Sequence, residues 1–345
     1  MNRRSLAALG VAAAGVGFAA VAQRSLIKRR RRNDPEAGEA FGKRRGVRSR
    51  TLELGDGARI FVEEAGPEAR RGVVFLHGLA LRTDAWYYQL QGVGDHRLVF
   101  FDLRGHGLSQ PKGDDGYTMA RLAEDLALVL DDCGLQEVVL VGHSTGGMVV
   151  LDYCVRHLSE LGERVKGIAL VNTTYRPATE TLAGGALVAR IERMVRKPLD
   201  FIGTQAAYVD NLRKIIRPSD AVFWTVALAG FGRWASAKQI DFTYDMLAET
   251  PTDVIFDLLK CYREFDVSGV VGDINVPALV VGGTSDRITI ADASQYLGEH
   301  LPKSELHLFE RCGHMAMMER HRDFNVVLER FLDDTLGRSK SQRGA

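Results

Sequence analysis

Three residues in this 345-residue chain could together break an acyl bond: Ser144, Asp286 and His314. A serine hydroxyl is a weak nucleophile near neutral pH. It becomes a strong one when a histidine takes its proton and a carboxylate holds that histidine. Ser144 stands in Gly142-His143-Ser144-Thr145-Gly146, after the apolar run Val138-Val139-Leu140-Val141 and before a helical-looking segment from Gly147 onward. A buried strand that turns sharply into a helix pushes out the residue at its tip, and the tight turn needs small neighbours, here Gly142 and Gly146. Asp286 follows Gly282-Gly283-Thr284-Ser285, and His314 sits in Arg311-Cys312-Gly313-His314-Met315. Each has a plainer reading alone: an inert serine in a Gly-rich turn, a helix-capping Asp, a solvated loop His. All three fall just past apolar strand-like runs, in the order Ser, Asp, His that a strand–elbow–helix architecture uses.

An oxyanion needs two fixed N–H donors. Thr145 N–H follows the nucleophile. The loop His77-Gly78-Leu79-Ala80, after the run ending at Leu76, offers the Leu79 N–H as the second, with Gly78 allowing close approach. His77, Gly78 and His143 read as supports around the site and not as bases. Asp102-Leu103-Arg104-Gly105-His106-Gly107-Leu108-Ser109 reads as a buttressing turn without chemistry of its own, and Cys312 as a packing residue.

The elements that must position these residues alternate. Arg50–Leu54 and Arg59–Glu64 predict an antiparallel hairpin turning at Gly55-Asp56-Gly57. Short apolar runs follow at Val73–Leu76, Leu98–Asp102, Val138–Val141, Ile168–Val171, Ala278–Val281 and Glu305–Phe309. Helical periodicity lies between them: Leu122, Leu126, Val129 and Leu130 form one face over Thr118–Asp132, and helices are expected near Ala291–Leu301 and from about Arg320 to Leu336. This pattern predicts an α/β fold with a mostly parallel sheet covered by helices on both faces. Between Tyr175 and Val270 the alternation stops. Aromatics and helix formers, broken by Pro198, Pro218 and Pro251, predict a helical cap over the sheet. The expected division is a leader over 1–48, a core over 49–174 and 271–338, a cap over 175–270 and a disordered tail over 339–345.

The formal net charge of +1 gives no global reason to expect a nucleic-acid partner. Four scattered cysteines and nine histidines show no metal-ligand spacing, so no metal is expected. The N-terminus is a separate object. No charge occurs from Ser5 to Gln23, a span of about 28 Å as a helix, which is enough to cross a hydrocarbon core. Arg3 and Arg4 precede it, and Arg24 and Lys28-Arg29-Arg30-Arg31-Arg32 follow. The leading expectation is a single apolar helix acting as a single-pass membrane anchor, with membrane association through residues 5–32, the basic run Lys28–Arg32 against anionic headgroups and the catalytic body cytoplasmic. A cleaved export signal, with Arg3-Arg4-Ser5-Leu6 and a cleavage site at Ala20-Val21-Ala22, and a peripheral basic leader are the alternatives.

The motifs His77-Gly78, Asp102 through Ser109, Gly142 through Gly147, Gly283 through Asp286 and Gly313-His314 resemble those of the alpha/beta-hydrolase fold family over roughly Arg50 to Leu336. The resemblance implies an eight-stranded, mostly parallel sheet, a variable cap and no cofactor. Members with an acidic nucleophile carry Asp at the elbow, and Ser144 argues against that chemistry. Some members place the acid after the strand that follows the nucleophile helix, but Asn172-Thr173-Thr174 has no carboxylate there, which favours Asp286. Thr289-Ile290 departs from relatives that carry a proline nearby. The expected function is an esterase- or lipase-like serine hydrolase acting on a small lipophilic ester or acyl substrate. Perhydrolase or haloperoxidase-like, thioesterase and carbon–carbon hydrolase activities share the same triad. A non-catalytic ligand receptor on this fold is a further alternative.

Overall fold

A computed structural model describes residues 23–42, 48–110, 116–177, 210 and 220–337. The expected hairpin is β1 (Arg48–Glu53) and β2 (Arg59–Ala65), paired antiparallel from Arg48↔Glu64 to Glu53↔Arg59. Six strands follow: β3 (Arg71–Leu76), β4 (Leu98–Phe101), β5 (Glu137–His143), β6 (Val165–Val171), β7 (Ala278–Gly283) and β8 (Ser304–Phe309). The sheet has eight strands in the order β1-β2-β4-β3-β5-β6-β7-β8, with β3 to β8 all parallel.

Strand side chains alternate between faces, so a sheet covered on both sides divides its apolar residues by parity. Val74, Leu76, Val138, Leu140, Ile168, Leu170 and Val280 pack on one face against helices α3 (Met119–Asp132), α4 (Thr145–Arg156) and α8 (Ala291–His300). Val73, Phe75, Val139, Val141, Ala169, Val171 and Val281 pack on the other against α2 (Tyr87–Gly92), the short α9 (Ala316–Glu319) and α10 (His321–Leu336). The Thr118 side chain caps α3 by accepting the Arg121 N–H at 3.1 Å, which satisfies one orphan amide of the first turn.

Between β6 and β7 the described helices are α5 (Asp220–Gly230), α6 (Ala237–Glu249) and α7 (Thr252–Cys261). Ser236 and Gln239 form a reciprocal capping box that starts α6. Residues 178–209 and 211–219 of the expected cap, and the expected tail, lie outside the described residues.

The anchor expectation is corrected. Among the described residues no helix is long and apolar enough to cross a membrane, and the cytoplasmic placement drawn from the anchor goes with it. Residues 5–22 and the Ala20-Val21-Ala22 site lie outside the described residues. Of the basic run expected against lipid headgroups, Arg30 and Arg31 instead meet protein, while Lys28, Arg29 and Arg32 are exposed. Residues 23–32 form helix α1, whose Ile27 is fully buried in the α2–α10 core layer. Arg24 pairs with Asp220 at 3.0 Å, Arg31 with both oxygens of Asp241 at 2.8 and 2.9 Å, and Arg30 donates to the Ala235 carbonyl at 2.9 Å. Exposed pairs of this kind contribute only about 0–1 kcal/mol each. Burial of Ile27, about 1.5–3 kcal/mol for a side chain of this size, dominates the docking.

Candidate active site

Because β3 to β8 run parallel, the loops after β3, β5, β6, β7 and β8 open at one edge of the sheet, where sites of open α/β sheets form. Ser144 is at the tip of the β5–α4 turn with φ 52° and ψ −117°, a strained backbone for a residue with a side chain. The turn is affordable only because its neighbours lack side chains. A Cβ on Gly142 would lie 2.4 Å from the Gly146 carbonyl oxygen, and one on Gly146 would lie 2.3 Å from that of Leu76. The Ser144 N–H donates to Val171 O at 3.0 Å, and Thr173 Oγ1 donates to Ser144 O at 2.6 Å. These two bonds tie the elbow to the end of β6.

Asp286 and His314, expected to act together, are bonded directly: His314 Nδ1 lies 2.9 Å from Asp286 Oδ2. The carboxylate is heavily gripped. Oδ2 also accepts from Asn172 Nδ2 (2.8 Å) and Thr289 Oγ1 (2.9 Å), while Oδ1 accepts from the Ile288 and Thr289 amides (2.8 and 3.0 Å). Burial alone would push its pKa up. The His314 charge and these hydrogen bonds outweigh burial and hold the carboxyl below its usual range. A carboxylate facing Nδ1 assigns the imidazole proton to that nitrogen and leaves Nε2 as the basic one. Among the described residues no hydrogen bond reaches Ser144 Oγ. In unliganded sites the nucleophile–base contact commonly tightens only with substrate.

The two other histidines near the elbow are structural in their bonding. His77 Nδ1 meets Gly78 O at 2.8 Å, and its Nε2 accepts the Leu103 N–H at 2.9 Å, so the ring staples the loop after β3 to the loop after β4. Burial, aided by His106, keeps His77 well below the usual histidine range. His143 Nε2 donates to the His314 carbonyl at 2.9 Å, and the two rings lie 4.8 Å apart. Burial and the nearby His314 push His143 down to about 3, so it stays neutral. The buttressing turn is held by Asp102, which accepts the Thr83 and Leu108 amides at 2.7 and 2.8 Å.

The expected oxyanion donors differ in state. Thr145 opens α4, where the leading amide of a helix has no intrahelical partner, while the Gly147 and Met148 amides already donate to Ser144 O at 2.9 and 3.1 Å. The Leu79 N–H is engaged: it donates to Thr145 Oγ1 at 3.1 Å. The same hydroxyl contacts the Tyr262 hydroxyl, which enters from the end of α7.

Four residues at this edge escape the sequence reading. Asn172, in the left-handed region at φ 45°, occupies the strand end where some relatives hold the acid, and there it donates to Asp286 and to Gly313 O (3.2 Å). Thr289 appeared only as a departure, yet its amide and hydroxyl both hold Asp286. Glu319 is buried and accepts the Gly313 amide (2.9 Å) together with the Gly232 and Trp234 amides (2.8 and 2.7 Å), which joins the His314 loop to the segment after α5. Tyr262 is the fourth. Asn at a strand end carries a weak signal, because it tolerates positive φ. The other three are ordinary in sequence. Among the described residues no group of three or more His, Cys, Asp or Glu side chains is placed to hold a metal ion.

Comparison with known proteins agrees with the fold. The family model described as alpha/beta hydrolase fold matches residues 72–321. The chain is 29% identical to a non-heme chloroperoxidase of Kitasatospora aureofaciens, covering 81% of this chain and 97% of that protein. It is 25% identical to epoxide hydrolase A of Mycobacterium tuberculosis, covering 80% and 95%. Among solved structures it is similar to an esterase from Exiguobacterium antarcticum, with a TM-score of 0.65 and 20% identity over 83% of this chain and 100% of that one, a likeness of fold. The chain belongs to the alpha/beta-hydrolase fold family.

Proposed function

We propose that this protein is a serine hydrolase of small carboxylic esters, acting through Ser144, His314 and Asp286 and an acyl-enzyme. His314 Nε2 takes the Ser144 proton as Oγ attacks the ester carbonyl. The Leu79 and Thr145 amides hold the oxyanion that forms. The same histidine returns the proton to the departing alcohol. A water, deprotonated by His314, then clears the acyl group and restores Ser144. Asp286 keeps the imidazole in the productive tautomer and stabilises its cationic form. The observation that carries this reading is the 2.9 Å Asp286–His314 bond at the same sheet edge as the strained Ser144 elbow. Serine at the elbow favours acyl transfer over the chemistry of relatives with an acidic nucleophile.

The test is Ser144→Ala challenged with a fluorophosphonate probe and a panel of short- to long-chain acyl esters. Loss of both labelling and turnover is expected. Equal labelling of variant and parent would remove Ser144 from the mechanism. The similarity to a chloroperoxidase favours one second reading, perhydrolysis, in which hydrogen peroxide replaces water as the acyl acceptor. Peracid formation from ester and peroxide, abolished in the same variant, distinguishes it.

A further inference from the structure

The oxyanion side of the site contains two hydroxyls that nothing above uses. Thr145 Oγ1 accepts the Leu79 N–H at 3.1 Å and also contacts Tyr262 OH. Tyr262 follows α7, is buried and packs in the α3–α4 core layer. Hydrogen-bond bookkeeping decides which hydroxyl donates. Among the described residues Thr145 is the sole hydrogen-bond partner of the Tyr262 hydroxyl. Burial pushes that phenol up, so it keeps its proton. If Thr145 were the donor, the tyrosine proton would be buried without an acceptor, an outcome folded proteins avoid. With Tyr262 as donor, both lone pairs of Thr145 Oγ1 are filled, one by the tyrosine O–H and one by the Leu79 N–H. The threonine's own proton is then without a partner, beside the amide that should hold the oxyanion.

We propose that the Thr145 hydroxyl is a third, side-chain donor to the oxyanion, and that Tyr262 is the positioning residue that turns its proton toward the substrate. This rests on Ser144 being the nucleophile. As negative charge builds on the carbonyl oxygen, the Leu79 N–H is shared between Thr145 Oγ1 and that oxygen, and Thr145 donates its own proton to it, while Tyr262 fills the lone pair behind. Transition-state stabilisation then depends on a residue from the end of the cap.

The experiment compares Thr145→Val, Thr145→Ser, Tyr262→Phe and the Thr145→Val/Tyr262→Phe double variant, with Ser144→Ala as reference, by kcat, KM and thermal unfolding. Removing one oxyanion donor costs about 10²–10³-fold in rate, so Thr145→Val should lose about 10²-fold in kcat with KM little changed. Tyr262→Phe should lose less, and Thr145→Ser should retain most of the rate. The double variant should be no slower than Thr145→Val, because the tyrosine acts only through the threonine. Undiminished kcat in Thr145→Val would overturn the proposal, as would faster turnover, which would make the hydroxyl a plug on Leu79. So would kcat losses that simply multiply in the double variant. Should Ser144→Ala itself turn over ester, the underlying mechanism fails. With Ser144→Ala inactive and Thr145→Val at full rate, only this proposal fails.

Discussion

The two flanks of Ser144 are built differently. On one, Asp286 is fixed by five hydrogen bonds, all from residues at the ends of β6, β7 and β8, and His314 is held further by His143 through its carbonyl. On the other, Leu79 N–H meets a threonine hydroxyl whose second partner is Tyr262, which follows the cap helix α7. In the proposed mechanism the acid–base flank belongs to the sheet, and the oxyanion flank is shared with the insertion between β6 and β7.

The largest break in this contrast should come from Asp286→Asn. An amide in place of the carboxylate presents a donor to His314 and selects the wrong tautomer, a change that costs about 10⁴-fold in kcat where such triads operate. Steady-state ester hydrolysis tests it, and a loss under tenfold would place the orienting acid elsewhere. Next comes Glu319→Gln. Glu319 serves three amides and joins the His314 loop to the cap, so the amide should lower stability by about 2–4 kcal/mol, the scale of lost hydrogen bonds to a buried charge. Urea unfolding measures this. Unchanged stability would mean that the two segments hold each other without the carboxylate.

The smallest effect sharpens the contrast by pH. His143 has a folded pKa of about 3, against about 6.5 for a free histidine. A depressed folded pKa gives stability that is present above pH 6.5 and lost as the pH falls toward 3, because the unfolded chain takes up the proton first. Urea midpoints should therefore decline below pH 6.5, and His143→Gln should flatten that decline. Tyr262→Phe should leave the slope unchanged, since burial moves the phenol further above this range. Equal slopes in parent and His143→Gln would place the pH sensitivity elsewhere.

The sequence disclosed the sheet flank far better than the cap flank, for a physical reason. Strand runs such as Val138–Val141 must be apolar on both faces, and an elbow must have glycine at positions 142 and 146, so composition and spacing report them directly. Asp286 and His314 became legible through their places after β7 and β8. Glu319 and Tyr262 matter through contacts across 87 and 117 residues of chain, and no local pattern marks such a partner. In sequence Asn172 marks only a missing acid, whereas its amide donates to the buried Asp286 carboxylate next door. The N-terminal basic run shows the opposite error. Charge next to an apolar stretch suggests lipid, but Asp220, Asp241 and the Ala235 carbonyl answer Arg24, Arg31 and Arg30 within the same chain.

The most direct test of the account is to trap the acyl group during turnover of an activated ester and locate it by mass spectrometry. The expected result is an acid-quenched adduct one acyl group heavier than the free protein, mapped to Ser144. Ester turnover with no adduct on Ser144, or an adduct on another residue, would contradict it.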